Sequence, residues 1–399
     1  MKVITDQKRI DEFLSRGVET VLPTKDFVKK QLMSGKKLKM YLGIDPTGPV
    51  LHLGHLIPIL KLKEFAELGH EAILLMGDFT GMIGDPTDKS ATRKQLTAKE
   101  VKQNLSGYKK QLAPVLKFGW GGVKVKFNSQ WLYKLTFEDV VKLAANFTVQ
   151  QMLARDMFDK RMKEGKPIHL HEFLYPLMQG YDCVAMDVDG ELGGNDQLFN
   201  ILAGRDLMKA MKNKEKFVIG VKLLVDASGA KMGKTEGNMA ALTDSANDKF
   251  GKVMSWPDGL ILPGFEILTK VDLKEIKKRM DAGENPRNLK MELALEIVKL
   301  LHSEKEAKKA QENFVKVFSE KEKPAEMETI KVAAGNQKLL DLLSNNKLVA
   351  SKAEARRLME QGGVKVDDEV IKNWQAEIEV KGGMVIQVGK RKFVKIEIE

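Results

Sequence analysis

One cysteine, Cys183, stands in 399 residues. An intramolecular disulfide needs two and a Cys-rich zinc site needs more, so both are excluded, and a reducing cytoplasm is the expected home. Long apolar runs are also missing. The run Ala72-Ile73-Leu74-Leu75-Met76 is far shorter than the ~20 residues that span a bilayer, so no membrane partner is expected. The opening Met1-Lys2-Val3-Ile4-Thr5-Asp6-Gln7-Lys8-Arg9 has no apolar core, so no signal peptide is expected. No internal repeat or low-complexity segment stands out. Negative charge is in short supply: 66 Lys and Arg face 55 Asp and Glu, a net charge of +11. That excess suits a polyanion such as nucleic acid, and equally a basic protein with a solvated surface.

What is present is an ordinary globular composition, 43% hydrophobic and 30% charged, with length enough for two or three domains. Residues 1 to 37 read as amphipathic helix with a Lys-rich end. A strand is expected over 39–44, where Met40, Tyr41, Leu42 and Ile44 are apolar and the turn signal Asp45-Pro46-Thr47-Gly48-Pro49 follows. Helical periodicity runs over 55–68 and stops at Gly69; 72–76 is a strand of the kind buried on both faces. Strand, helix, strand makes a βαβ unit. Apolar runs at 123–127 and 218–225 extend the pattern, so an α/β domain with a parallel sheet is expected over the first part of the chain. From Val271 to Lys323 no strand signal occurs, which predicts a small helical domain. Glu320-Lys321-Glu322-Lys323-Pro324-Ala325 reads as a linker. Beyond it the pattern is helix at 339–344, helix at 351–361, then strands near 364–366, 385–388 and 393–396.

Two strings invite phosphate chemistry. His52-Leu53-Gly54-His55 lies between the first strand and its helix. Two histidines three apart share one side of a helix start, near the positive end of the dipole, and Gly54 lets a ligand approach the backbone. Solvated or capping histidines would look the same. Lys231-Met232-Gly233-Lys234-Thr235 contains Gly-Lys-Thr, but a P-loop needs a glycine five before Gly233, and Ser228 stands there. Two lysines in a Gly-rich loop still suit a transferring phosphate, or simply a solvated loop.

In this order and together, the two strings resemble the signature motifs of class I aminoacyl-tRNA synthetases, His-Ile-Gly-His and Lys-Met-Ser-Lys-Ser. Their separation fits the short class Ic members for tyrosine and tryptophan. Three further strings resemble the tyrosyl group. They are Tyr41-Leu42-Gly43-Ile44-Asp45-Pro46-Thr47, Gly77 to Pro86 with its Thr80-Gly81-Met82-Ile83-Gly84-Asp85-Pro86, and Tyr175-x-x-x-Gln179-x-x-Asp182 followed by Gly193-Gly194-Asn195-Asp196-Gln197. Independently of the resemblance, Tyr175, Gln179 and Asp182 fall at i, i+4 and i+7 and line one helix face. A polar stripe among Phe173, Leu174, Leu177 and Met178 needs a polar partner if buried, and a tyrosine phenol, both donor and acceptor, is one.

The resemblance implies activation of tyrosine with ATP, accompanied by Mg²⁺, then transfer to the terminal adenosine of a tRNA for tyrosine. By resemblance, His52, His55, Thr47, Lys231 and Lys234 act on the phosphates. Asp45, Gly54, Gly194, Asp196, Met232, Gly233 and Thr235 belong to the ATP site; Tyr41, Asp85, Tyr175, Gln179, Asp182 and Gln197 belong to the tyrosine site. No protein-held metal is implied. The implied organisation is a Rossmann-like catalytic domain over 1–228 with a connective or dimer insertion at about 127–172. A helical domain with the lysine loop follows over 229–323, then a linker over 324–336. An RNA-binding domain resembling that of ribosomal protein S-four covers 337–399. There Ser351 is a candidate helix cap, with Glu354 closing a capping box. Lys352, Arg356, Arg357 and the cluster Lys390-Arg391-Lys392 are the candidate RNA contacts. A homodimer is implied by resemblance alone. Gly233 and Asn195 depart from the usual serine or threonine, and neither removes a group with an assigned role. A tryptophanyl enzyme of the same fold, and a retired paralogue that only binds RNA, are the competing readings.

Overall fold

The computed structural model describes residues 2–87, 96–119, 121–225, 240–319, 327–389 and 392–399. The chain forms two compact units, Met1–Asp244 with Lys252–Ser303, and Ser245–Gly251 with Glu304–Glu399.

The first unit is built on six strands: β1 (Val18–Leu22), β2 (Lys39–Ile44), β3 (Glu71–Met76), β4 (Lys124–Phe127), β5 (Gly190–Gly194) and β6 (Phe217–Val221). Their order is β1-β6-β5-β2-β3-β4; all neighbours are parallel except β1, which runs antiparallel to β6. The strands β3 and β6 are apolar on both faces and almost wholly buried, as a covered parallel sheet demands. The chain leaves β2 toward β3 and β4 on one side and later returns to build β5 and β6 on the other. The carboxyl ends of β2 and β5 therefore flank a topological switch point, where open α/β sheets hold their ligands.

The parallel α/β expectation holds, with two strands added. The expected helix over 1–37 is instead the helix Gln7–Phe13, strand β1, and the helix Lys25–Met33. At five residues, β1 is too short for its periodicity to separate it from the flanking helices, and it exists by pairing with the edge of β6. The sequence pattern also gave no strand at β5, Gly-Glu-Leu-Gly-Gly. Glycine disfavours isolated strand, but hydrogen bonding to β2 and β6 on both sides holds it.

The helices Leu273–Asp281, Pro286–Leu301 and Glu304–Ser319 fill the region expected to be helical. In the second unit, β7 (Glu328–Val332), β9 (Val364–Val366), β10 (Glu369–Val370), β12 (Val385–Val388) and β13 (Lys392–Ile398) form one sheet, while β8 (Gly335–Lys338) and β11 (Glu377–Val380) pair separately. The expected linker over 324–336 thus contains a sheet strand: β7 lies parallel to β13, with Ile330 opposite Ile396. Its exposed, charged alternation, Glu-Thr-Ile-Lys-Val, disguises it as linker. Helices Leu339–Asn345 and Lys352–Glu360 bury Leu339, Leu342, Leu343, Ala355 and Met359 against Val364, Ile386 and Val394.

Candidate active site

A cavity of about 680 Å³ opens at the carboxyl ends of β2, β3, β5 and β6. It gathers Tyr41, Asp45, Thr47, His52, Gly54, His55, Asp85, Tyr175, Gln179, Asp182, Gly194, Asp196 and Gln197, all of them expected site residues. The remaining expected residues of the first unit, Lys231, Met232, Gly233, Lys234 and Thr235, lie outside the described residues. Before that segment, Leu223 and Leu224 line the cavity; after it, the carbonyl of Ala240 accepts the Leu53 N–H at 3.0 Å.

At one end sits the start of the helix Leu53–Glu67. His52 is its N-cap: Nδ1 accepts the Gly54 N–H at 3.1 Å, and His55 Nδ1 reaches back to accept the His52 N–H at 3.2 Å. The two histidines are a capping box, and the phosphate reading gains from this. A neutral imidazole that accepts at Nδ1 carries its proton at Nε2, so each ring presents an N–H donor beyond the cap. The rings lie 3.8 Å apart at the positive end of the helix dipole.

The other end is buried and lined by side chains from distant elements. The helix Leu170–Met186 contributes Tyr175, Gln179 and Asp182 from one face, as their spacing predicts. Asp182, 3% exposed, accepts Trp131 Nε1 at 2.7 Å on one oxygen and Asn128 Nδ2 at 3.3 Å on the other. Burial pushes this carboxyl well above its ordinary range, and those two hydrogen bonds oppose the shift. A carboxylate has about four acceptor positions; two donors leave room for a ligand hydroxyl. Tyr41 is fully buried, its hydroxyl 3.2 Å from Cys183 Sγ and 3.4 Å from the Gln179 carbonyl; burial drives the phenol pKa up.

Between the ends, Asp45 accepts the Thr80 hydroxyl at 2.7 Å and the Tyr175 hydroxyl at 2.8 Å. The phenol proton of Tyr175 is thereby directed at Asp45, and its oxygen remains an acceptor. Burial, then Asp45 and Asp85, raise the pKa of that phenol. Gly77 is required here: a Cβ would sit 2.0 Å from Asp45 Oδ1 and 2.4 Å from Thr80 Oγ1. Asp85 accepts Gln197 Nε2 at 2.8 Å, and the Thr87 N–H and hydroxyl at 3.0 and 2.7 Å. Thr87 Oγ1 in turn accepts Arg155 Nη2 at 2.7 Å.

Sequence reasoning missed Asn128, Trp131, Glu191 and Lys216. Asn128 and Trp131 carry no local signal, since they meet Asp182 across separations of 54 and 51 residues. A signal did exist for the other two. Glu191 is a lone charge inside a glycine-rich buried strand, and Lys216 directly precedes the buried run Phe217–Val221.

In the second unit, Lys352, Arg356 and Arg357 project from the helix Lys352–Glu360 and are exposed. Lys352 pairs with Asp341 at 2.6 Å; Arg356 pairs with Glu360 at 2.8 Å and lies over the Trp374 ring at 4.6 Å. Lys392 donates to the carbonyls of Lys347 and Leu348 at 3.1 and 3.2 Å. Lys390 and Arg391 lie outside the described residues. Ser351 caps the helix by accepting the Glu354 N–H, but the Glu354 carboxylate takes the Ala350 N–H instead of closing a box on Ser351. Among the described residues no group of three or more His, Cys, Asp and Glu could hold a metal ion. Nor is any described helix long and apolar enough to cross a membrane.

The family model described as tRNA synthetases class I (W and Y) matches residues 33–319, and that of the Tyrosine--tRNA ligase SYY-like C-terminal domain matches 319–396. The chain is 44% identical over 391 residues to the Tyrosine--tRNA ligase of Moorella thermoacetica, covering 96% of this chain and 94% of that protein. It is also 44% identical over 410 residues to that of Carboxydothermus hydrogenoformans, covering 99% of each. The C-terminally truncated mitochondrial tyrosyl-tRNA synthetase of Coccidioides posadasii superposes with a TM-score of 0.61 at 25% identity, over 76% of this chain and 91% of that one. Its counterpart from Aspergillus nidulans shares the fold, with a TM-score of 0.64 at 23% identity, over 78% and 94%. By sequence along nearly its whole length, the chain belongs to the class I tRNA synthetases of the tryptophan and tyrosine group, and within them to the tyrosine--tRNA ligases.

Proposed function

We propose that this protein joins tyrosine to ATP as tyrosyl-adenylate, releasing pyrophosphate, and then transfers the tyrosine to the terminal adenosine of its tRNA. The observation that carries the proposal is that the buried Asp182 carboxyl and the buried Tyr41 side chain line the same cavity as two helix-capping histidines. The first is a site for a phenol and the second for phosphate. Phenylalanine would leave Asp182 and Tyr41 without their ligand hydrogen bond. A site built to bond a substrate hydroxyl rejects the analogue that lacks it, an effect for which tyrosyl enzymes are themselves the usual illustration.

The tyrosine carboxylate is ionised at neutral pH, so attack on the α-phosphate needs no strong base. The chain's task is to position the reactants and stabilise charge. Asp85, Tyr175 and Gln179 receive the ammonium, and Gln197 lies toward the reacting carboxylate. Asp45, Thr47, Gly54, Gly194 and Asp196 hold the nucleotide, while His52 and His55 donate to its phosphates. The resemblance gives Lys231 and Lys234 the leaving pyrophosphate, with Met232, Gly233 and Thr235 completing that loop. ATP enters as its Mg²⁺ complex, the cation being part of the substrate, so excess chelator is expected to stop the reaction.

Tyrosine-dependent exchange of pyrophosphate into ATP tests the proposal. Exchange with tyrosine and none with phenylalanine or tryptophan is expected; exchange with tryptophan only, or none at all, would sink it.

A homodimer is proposed on the same footing. Phe127, Tyr133, Phe137, Val141, Val149, Met162 and Leu170 are exposed and all fall between 127 and 170, within the expected insertion. Sedimentation should give twice the chain mass. RNA contact is assigned to Lys352, Arg356, Arg357 and Lys390-Arg391-Lys392, in a cytoplasmic setting. Replacing Lys352, Arg356 and Arg357 with alanine is expected to weaken tRNA binding by roughly tenfold and flatten its salt dependence, with pyrophosphate exchange unchanged.

A further inference from the structure

Behind the tyrosine end of the cavity lies a charge cluster to which the proposed chemistry gives no part. Lys216 is 0% exposed and Glu191 is 1% exposed, and they form an ion pair. A lysine ammonium has three donors, and all three are placed: on Glu191 Oε2, on the Ile201 carbonyl at 2.9 Å, and on Cys183 Sγ at 3.1 Å. Burial alone would pull the Lys216 pKa down, but Cys183 and Glu191 outweigh it and the pKa rises. The fold makes room for the ammonium. Gly204 lies within the helix Leu198–Lys212, and a Cβ there would sit 2.7 Å from Lys216 Nζ and 2.7 Å from Cys183 Sγ. The second oxygen of Glu191 turns toward the cavity and accepts Gln179 Nε2 at 3.0 Å.

We infer that Lys216 and Glu191 are a positioning pair that fixes which end of the Gln179 amide faces the tyrosine ammonium. The inference rests on the tyrosine reading proposed above. An amide has a donor end and an acceptor end, and its two orientations fit one space almost equally. A carboxylate paired to an ammonium only accepts, so Glu191 captures the Gln179 NH₂ and leaves the Gln179 oxygen for the substrate. An ammonium needs that oxygen; the opposite orientation would set donor against donor. Lys216 and Glu191 do not touch the reacting atoms in this scheme, and Cys183 fills the space between them and Tyr41.

The test is pyrophosphate exchange with the full-length chain. Exchange by the unaltered protein with tyrosine tests the proposed function; the variants test only the pair. In Glu191→Gln, Lys216 keeps the new amide oxygen and turns the new NH₂ toward Gln179, which must reverse. The KM for tyrosine is expected to rise roughly tenfold, with the KM for ATP and kcat changed less than about twofold. Adding Lys216→Met releases the amide oxygen at position 191 to accept from Gln179 again. The double variant should therefore recover a tyrosine KM within about threefold of the original. A second substitution that repairs the first is not expected of a pair that only supports the fold. Equal tyrosine KM in the single and double variants, or parallel rises for tyrosine and ATP, would overturn the inference. Should Glu191→Gln not fold, Gly204→Ala displaces Lys216 Nζ from the helix side and is expected to raise the tyrosine KM selectively; an unselective change would count against the pair.

Discussion

The buried end of the cavity and the end at the start of the helix Leu53–Glu67 are made from different kinds of interaction. At the helix start the side-chain capping is local, although the Leu53 N–H bonds the distant Ala240 carbonyl. His52 and His55 bond the backbone of their own turn, and the glycine between them lies in the same four residues. At the buried end, Asp182 is held by Trp131 and Asn128, Gln179 by Glu191, and Tyr175 by Asp45, which lies 130 residues away. The difference suits what each end must do. Triphosphate is recognised by charge and by backbone donors, which one turn of helix supplies. An aromatic side chain with one hydroxyl is recognised by a closed shape with fixed polar atoms, and only a packed interior supplies that.

The comparison can be broken in order of expected effect. Asp182→Ala takes the acceptor from the Trp131 Nε1–H, leaves Asn128 Nδ2 only its bond to Thr80 Oγ1, and removes the phenol's partner. It should lower kcat/KM for tyrosine by about 100-fold or more, read by pyrophosphate exchange. Replacing His55 with alanine removes one donor and half of the capping box. A fall in kcat of about 100-fold is expected with the tyrosine KM unchanged; a rise in that KM would mean that the two ends are not separate. Trp131→Phe replaces the indole with a smaller aromatic ring and deletes one hydrogen bond to Asp182, so the tyrosine KM should rise about five- to tenfold while the ATP KM stays constant.

The smallest effect sharpens the comparison from outside the site. His70 is buried, takes the Leu38 N–H at Nδ1 and stacks on Phe65 at 4.7 Å. Burial lowers its pKa from 6.5 to about 4. The folded state therefore refuses a proton that the unfolded chain accepts, so stability is full above pH 6.5 and declines as pH falls toward 4. Denaturation midpoints at pH 7.5 and pH 5 should differ, and less so in His70→Gln, with the tyrosine KM of that variant unaltered at pH 7.5.

Legibility in the sequence follows the same divide. Strand β2 occupies the expected 39–44, and the helix Leu170–Met186 presents Tyr175, Gln179 and Asp182 together, because alternation and helical period are properties of neighbours in the chain. Strand β1 was hidden by its shortness, β5 by its glycines and β7 by its charges. Each owes its strand state to pairing partners rather than to its own residues. His52 and His55 could be read as phosphate ligands or as caps; the geometry makes them caps through Nδ1.

The amino-acid order alone determined the parallel α/β plan, the helix start with its two histidines, and the common face of Tyr175, Gln179 and Asp182. Each of these depends on residues within a few positions of one another. Only the tertiary structure decided that Trp131 and Asn128 would hold Asp182, and that Lys216 and Glu191 would stand behind Gln179. Those pairs meet across 12 to 54 residues of chain, and a contact closed by folding leaves no periodic mark in the segments that make it.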